Sequence, residues 1–160
     1  MEKAIKRDDL EGFPEKYGSF NLNKELTNKE YELLEWGFRP SRQEDKWYIY
    51  VEDVWIYFHR SWTGHVCYKT KVEKSATGYL LTETRINEDT PPSSITYTNF
   101  SMTNFPNDID FAKTLVPYLV DRILLGKDIL FPAVKEFGAE ENFAYRWHLV
   151  GCASNNHPKD

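Results

Sequence analysis

"KWYIYVEDVWIYFHR", residues 46–60, sets the architecture. Aromatic and β-branched residues fill nearly every position, and such side chains favour the pleated, half-buried surface of a strand. Only Glu52-Asp53 interrupts them, so the stretch reads as two strands joined by a tight acidic turn. Trp47, Ile49 and Val51 fall on one face, and Tyr48 and Tyr50 on the other. Both faces are rich in rings. Strands of that kind sit centrally in a sheet or have their second face covered.

The alternation continues outward. "HVCYKTKVEK" (65–74) sets Val66, Tyr68, Thr70 and Val72 against Cys67, Lys69 and Lys71; "SATG" turns the chain, and "YLLTETRI" (79–86) gives a fourth strand. The short connections favour an antiparallel meander over about 46–87. Upstream, "LTNKEYELLEWGFRP" (26–40) carries a capping box, Thr27 with Glu30, and stops at Gly37 and Pro40, which predicts a short helix over about 28–36. Downstream, Ile109, Ala112, Val116, Leu119, Val120 and Ile123 form a helical stripe, with Asn107 or Asp108 as cap and Gly126 as stop. Pro117 predicts a kink or break near Thr114.

The remaining segments are less regular. Residues 1–25 read as an irregular lead-in pinned by Phe13, Tyr17 and Phe20. Residues 88–107 are rich in Ser, Thr, Asn and Pro and read as a long loop or an edge strand, placed to act as a lid. Another short helix is expected from Phe131-Pro132 to Gly138, a strand or helix over 139–152, and a loose tail over 154–160. The expected fold is therefore α+β in one domain, 1–160. An antiparallel sheet of four to five strands packs against a helix over about 108–125 and short flanking helices.

Composition narrows the function classes. The net charge of −5, with no basic block, argues against nucleic acid as a partner. No apolar run spans a bilayer and the first residues lack a secretory h-region, so neither a membrane nor export is expected and the cytoplasm is the expected location. Two cysteines, Cys67 and Cys152, do not make a disulfide framework. His65-x-Cys67 with His148-x3-Cys152 offers four zinc-type ligands, but not at finger spacing, and neither metal nor cofactor is expected.

"YFHRSWTG" (57–64) concentrates the candidate chemistry. A strand here sends Trp55, Tyr57 and His59 to one face and Ile56, Phe58 and Arg60 to the other, with Ser61 to Gly64 as the turn. In a binding site Arg60 grips a carboxylate or phosphate. Trp62 or Tyr57 stacks on a flat ring, and Ser61 and Thr63 complete the cradle, with His59 and His65 flanking the turn and Arg85 joining from the fourth strand. In a packed hairpin the same residues serve stability: Trp62 plugs the core and Arg60 pairs with Glu83 or Glu73. The stretch 46–73 resembles small uncharacterised bacterial and phage proteins in which an aromatic strand leads into YFHRSWTG. That resemblance implies a ligand from nucleotide or ADP-ribose chemistry and assigns no activity and no residue role.

Three functions are compatible with this pattern. One is a binding protein for a small anionic, aromatic ligand, a nucleotide or ADP-ribose-like molecule, with His59, Arg60, Ser61, Trp62, Thr63, His65 and Arg85 as ligand-binding residues. Another is a protein-interaction module of immunity or inhibitor type. The third is a hydrolase of a nucleotide-like substrate with His59 or His65 as base, although no G-x-S-x-G elbow accompanies Ser61.

Overall fold

The computed structural model describes residues 3–7, 10–89 and 109–130. Its centre is a five-stranded antiparallel sheet in the order β1-β5-β4-β3-β2. The strands are β1 (Tyr17–Leu26), β2 (Trp47–Glu52), β3 (Trp55–Arg60), β4 (Val66–Lys74) and β5 (Tyr79–Asn87). Helix α1 spans Asn28–Leu34 and α2 spans Ile109–Tyr118, running on into a π-helical segment, Leu119–Leu124. The α+β class and the meander over β2 to β5 are as the sequence predicts.

Local chemistry explains each boundary. The Thr27 hydroxyl accepts from Glu30 N and the Glu30 carboxylate accepts from Thr27 N, both at 3.0 Å, closing the capping box. Asp53 takes the β2–β3 turn at φ 56°, a left-handed conformation that aspartate tolerates better than most residues. Gly64 takes the β3–β4 turn at φ 72°, and Gly126 ends the helical run at φ 69°.

Three expectations need correction. The lead-in is not irregular over 17–26: those residues form β1 beside β5. Only Phe20, Leu22 and Leu26 pack into the core from this edge strand, between polar residues of low strand propensity, and a register shift between Asn21 and Lys24 breaks the alternation. Pro117 does not break the helix near Thr114. Proline removes an N–H donor, and the chain answers one turn on with the wider π pattern, Leu125 N bonding Val120 O at 3.0 Å. Cys67 does not share the face of Lys69 and Lys71. A bulge opposite Phe58/His59 turns it into the core beside Tyr68.

The main core lies between the inner face of the sheet and the helices. Trp47, Ile49, Ile56, Phe58, Tyr68, Leu81 and Ile86 from the sheet meet Ala112, Leu115, Val116, Leu119, Val120, Ile123 and Leu124, all essentially inaccessible to water. Ile109, first in the predicted stripe, is exposed. Lys24 and Lys127 both pair with Asp121, and Lys127 also reaches Glu30, tying β1, the π segment and α1 together. The outer face has a smaller core of Ala4, Leu10, Tyr48 and Tyr50, with Tyr57 packed against it. Arg7 lies 4.3 Å from the Tyr48 ring centre, and the Tyr48 hydroxyl donates to Ile5 O at 2.8 Å. No described helix is long and apolar enough to cross a membrane. The lid expected over 88–107 and the elements expected beyond 130 fall, apart from Glu88 and Asp89, outside the described residues.

Candidate ligand-binding site

Strand alternation divides the predicted site. His59 and Arg60 are adjacent, so they point to opposite faces of the sheet. Arg60 is buried on the inner face, its guanidinium carbon 4.7 Å from the Trp47 ring centre. Burial pushes its pKa down to about 10, which still leaves it charged at neutral pH. A guanidinium sealed against the core is not poised to receive a ligand. It does not pair with Glu83, which bonds Arg85 Nε at 3.1 Å instead.

His59 is buried on the outer side. Its Nδ1 lies 2.8 Å from Gly64 O. A carbonyl oxygen only accepts, so Nδ1 carries the proton and Nε2 is the bare nitrogen. That nitrogen is buried and has no hydrogen-bond partner among the described residues. The ring stacks on Tyr50 at 5.5 Å. His65 is held separately, by Glu11 at 3.2 Å through Nδ1 and by Asn87 at 3.5 Å through Nε2. Neither histidine is bonded to Ser61, whose hydroxyl donates to Asp45 O at 2.6 Å. The geometry gives Ser61 a structural bond and no base. Cys67 and His65 also diverge, and no group of three His, Cys, Asp or Glu side chains suited to a metal forms among the described residues. His148 and Cys152 lie outside those residues.

What remains at the hairpin end is a cleft. Trp62, expected in a packed hairpin to plug the core, is instead 67% exposed. Its Nε1 donates to Gln43 O at 3.0 Å, which fixes the plane of the indole, and Lys46 Nζ lies 5.0 Å from the ring centre. Pro40, Ser41, Arg42, Gln43, Ser61 and Trp62 line an open cleft of about 500 Å³. Thr63, exposed in the turn, does not line the cleft; its hydroxyl accepts from His65 N at 3.2 Å.

The opposite wall of this cleft was not foreseen. Asp45 builds it: the buried carboxylate accepts from Ser41 N at 2.9 Å, Ser41 Oγ at 3.3 Å and Arg42 N at 3.3 Å. A carboxylate taking several such bonds folds the loop onto itself. Ser61 N then bonds Lys46 O at 3.0 Å and seats the loop on the hairpin. The signal in the sequence was Ser41-Arg42-Gln43-Glu44-Asp45, a Pro-led polar run ending in aspartate. Arg85 lies elsewhere, on the outer face over Tyr17 and Trp55. The structure thus brings Ser61 and Trp62 together at the cleft and separates them from Arg60, His59 and Arg85. No family model, curated protein or solved structure matches the chain.

Proposed function

We propose that this protein binds a small anionic ligand bearing a flat ring, of nucleotide or ADP-ribose type, in the cleft beside Trp62. The observation that carries this reading is the exposed, hydrogen-bonded indole at the mouth of a cleft that also presents Arg42. A fixed aromatic plane accepts a base or similar ring by stacking without ordering cost of its own. Arg42, half-exposed and 3.8 Å from the Asp45 carboxylate, can turn its guanidinium toward a phosphate or carboxylate at the cleft mouth, and Lys46 adds charge behind the indole. A cleft of this size accommodates a mononucleotide-sized molecule. Ser61 spends its hydroxyl on Asp45 O, which supports a binding role for it over a nucleophilic one.

The test is calorimetric titration with nucleotides, cyclic nucleotides and ADP-ribose derivatives after a thermal-shift screen. A ligand selective for the folded state raises apparent stability by about 2.7 kcal/mol at a hundredfold excess over Kd. Trp62→Ala is expected to cost roughly 1–3 kcal/mol of binding through lost stacking, and Arg42→Ala to weaken phosphorylated ligands more than their nucleosides. No shift from any compound, or undiminished affinity in Trp62→Ala, would overturn the proposal.

A further inference from the structure

The outer face carries a second cationic feature, far from the cleft. Trp55 opens β3 while Trp62 lies beyond its other end, a separation of roughly 20 Å for extended chain. Across the outer face one register row reads Tyr50, Tyr57, Lys69, Arg85 and Ser19, from β2 to β1. Lys69 and Arg85 are therefore directly opposite each other on neighbouring strands. Like charges so placed repel and weaken the pairing.

Little within the described residues relieves that repulsion. Glu83 holds Arg85 Nε at 3.1 Å, but no ion pair joins Lys69 to a carboxylate among the described residues. Glu52 and Asp53 lie near Tyr57, at the turn end of the face. Lys69 rests instead among rings: its ammonium is 4.3 Å from the Trp55 centre, 5.0 Å from Phe13 and 5.8 Å from Tyr57. Arg85 lies 4.4 Å from Tyr17 and 4.7 Å from Trp55. Burial, and then the neighbouring Arg85, push the Lys69 pKa down, and the Glu83 carboxylate that holds Arg85 offsets them only in part. All four rings are only partly buried.

We infer that this face docks an acidic, aromatic-bearing peptide segment of a partner protein, one carboxylate seating between Lys69 and Arg85. The chemistry favours a peptide over a small molecule. Small-ligand sites are concave, whereas this row, beyond the buried Tyr50, lies half-exposed on the face of a sheet five strands, or roughly 20 Å, across. Tyr, Trp and Arg are the side chains that anchor protein interfaces. On a chain of net charge −5, a cationic row selects an acidic partner through charge complementarity.

The probe is a fluorescein-labelled peptide alternating glutamate and tyrosine, followed by fluorescence polarisation. It should bind saturably and more weakly as salt rises, while the matching glutamine–tyrosine peptide should not bind. Lys69→Gln should weaken binding about tenfold or more, and Lys69→Arg should retain it. Glu83→Gln should strengthen binding, because it frees Arg85 from its internal carboxylate, an effect a purely structural role does not predict. Trp62→Ala should leave the peptide affinity unchanged, and nucleotides should not compete, so this site and the cleft stand or fall separately. Absence of binding, indifference to Lys69→Gln in a variant with native circular dichroism, or equal occupancy by citrate or inorganic phosphate would each overturn the proposal.

Discussion

Arg60 and Lys69 lie on opposite faces of one sheet, and each rests against a tryptophan: Arg60 at 4.7 Å from Trp47, Lys69 at 4.3 Å from Trp55. Their fates differ because their covers differ. On the inner face Trp47 and Arg60 are almost wholly buried, in the same core into which the helical run 109–124 packs beside β1. Among the described residues the outer face is covered by Ala4, Arg7 and Leu10 over Tyr48 and Tyr50 and by Phe13 over Lys69, and Lys69 stays partly exposed. A cation over a ring is thus a structural contact on one side and an available group on the other. Neighbouring residues in the chain do not settle which; the layer above them does.

The comparison is most directly broken at the two tryptophans. Trp47→Ala should cost roughly 3–5 kcal/mol, since it removes a fully buried ring and leaves a cavity beneath Arg60. Trp55→Ala should cost clearly less, because that ring is only partly buried. Urea denaturation of both variants measures the contrast. Equal costs would mean that the outer face is as much a core as the inner one.

Gly37 sharpens it from the side of the outer cover. It sits at φ 65°, and a Cβ there would run into Ile49 O and meet the Ala4 methyl at 2.9 Å. The bond from Ala4 N to Trp36 O, 2.8 Å, anchors the segment at this point. Gly37→Ala should cost more than the about 1–3 kcal/mol of backbone strain alone, because Ile49 O must also shift, and should speed hydrogen exchange at the Ala4 amide more than at β4 amides. Uniform acceleration would show that the outer cover is not a separable layer.

Much of the fold was legible because its signals are local. Alternation over 46–60 marks two strands, and Thr27 with Glu30 marks a helix start, since each pattern expresses a bond or a burial made within a few residues. β1 was hidden because an edge strand needs few apolar residues. The π segment was hidden because proline tells where a donor is lost and not how the chain recovers. The site was legible only in part. Alternation already separates His59 from Arg60, yet chemical likeness grouped them. Trp62 and Ser61 do belong together, but the loop that completes their cleft, folded locally by Asp45, is seated against them by the Ser61 bond to Asp45 O, which no local spacing reveals. Lys69 carries no such signal in the sequence, because its like-charged neighbour comes from β5, across the register.

The smallest expected effect concerns pH and tests how tightly the outer layer is closed. Burial holds the His59 pKa below its usual value, and the bond to Gly64 O only partly offsets this. The neutral ring is therefore the form the folded state prefers. In the unfolded chain the same ring protonates near pH 6.5. Below that value the unfolded state binds a proton that the folded state refuses, so stability rises with pH through this window. The contribution is whole above about pH 6.5 and fades as pH falls toward the lowered pKa of the folded form. His59→Phe keeps a flat ring beside Tyr50 and loses the Gly64 bond at every pH, so it should lower stability throughout while removing this slope. Urea midpoints at about pH 7.5 and about pH 5.5, on either side of the histidine range, give the difference. Glu11, His65 and Arg7 are the charged neighbours that act on His59, and Glu11 and His65 form their own pair. If the slope survives in His59→Phe, that pair carries it. The buried nitrogen of His59 would then be reached by water, and the cover over Tyr50 would be looser than the one over Trp47.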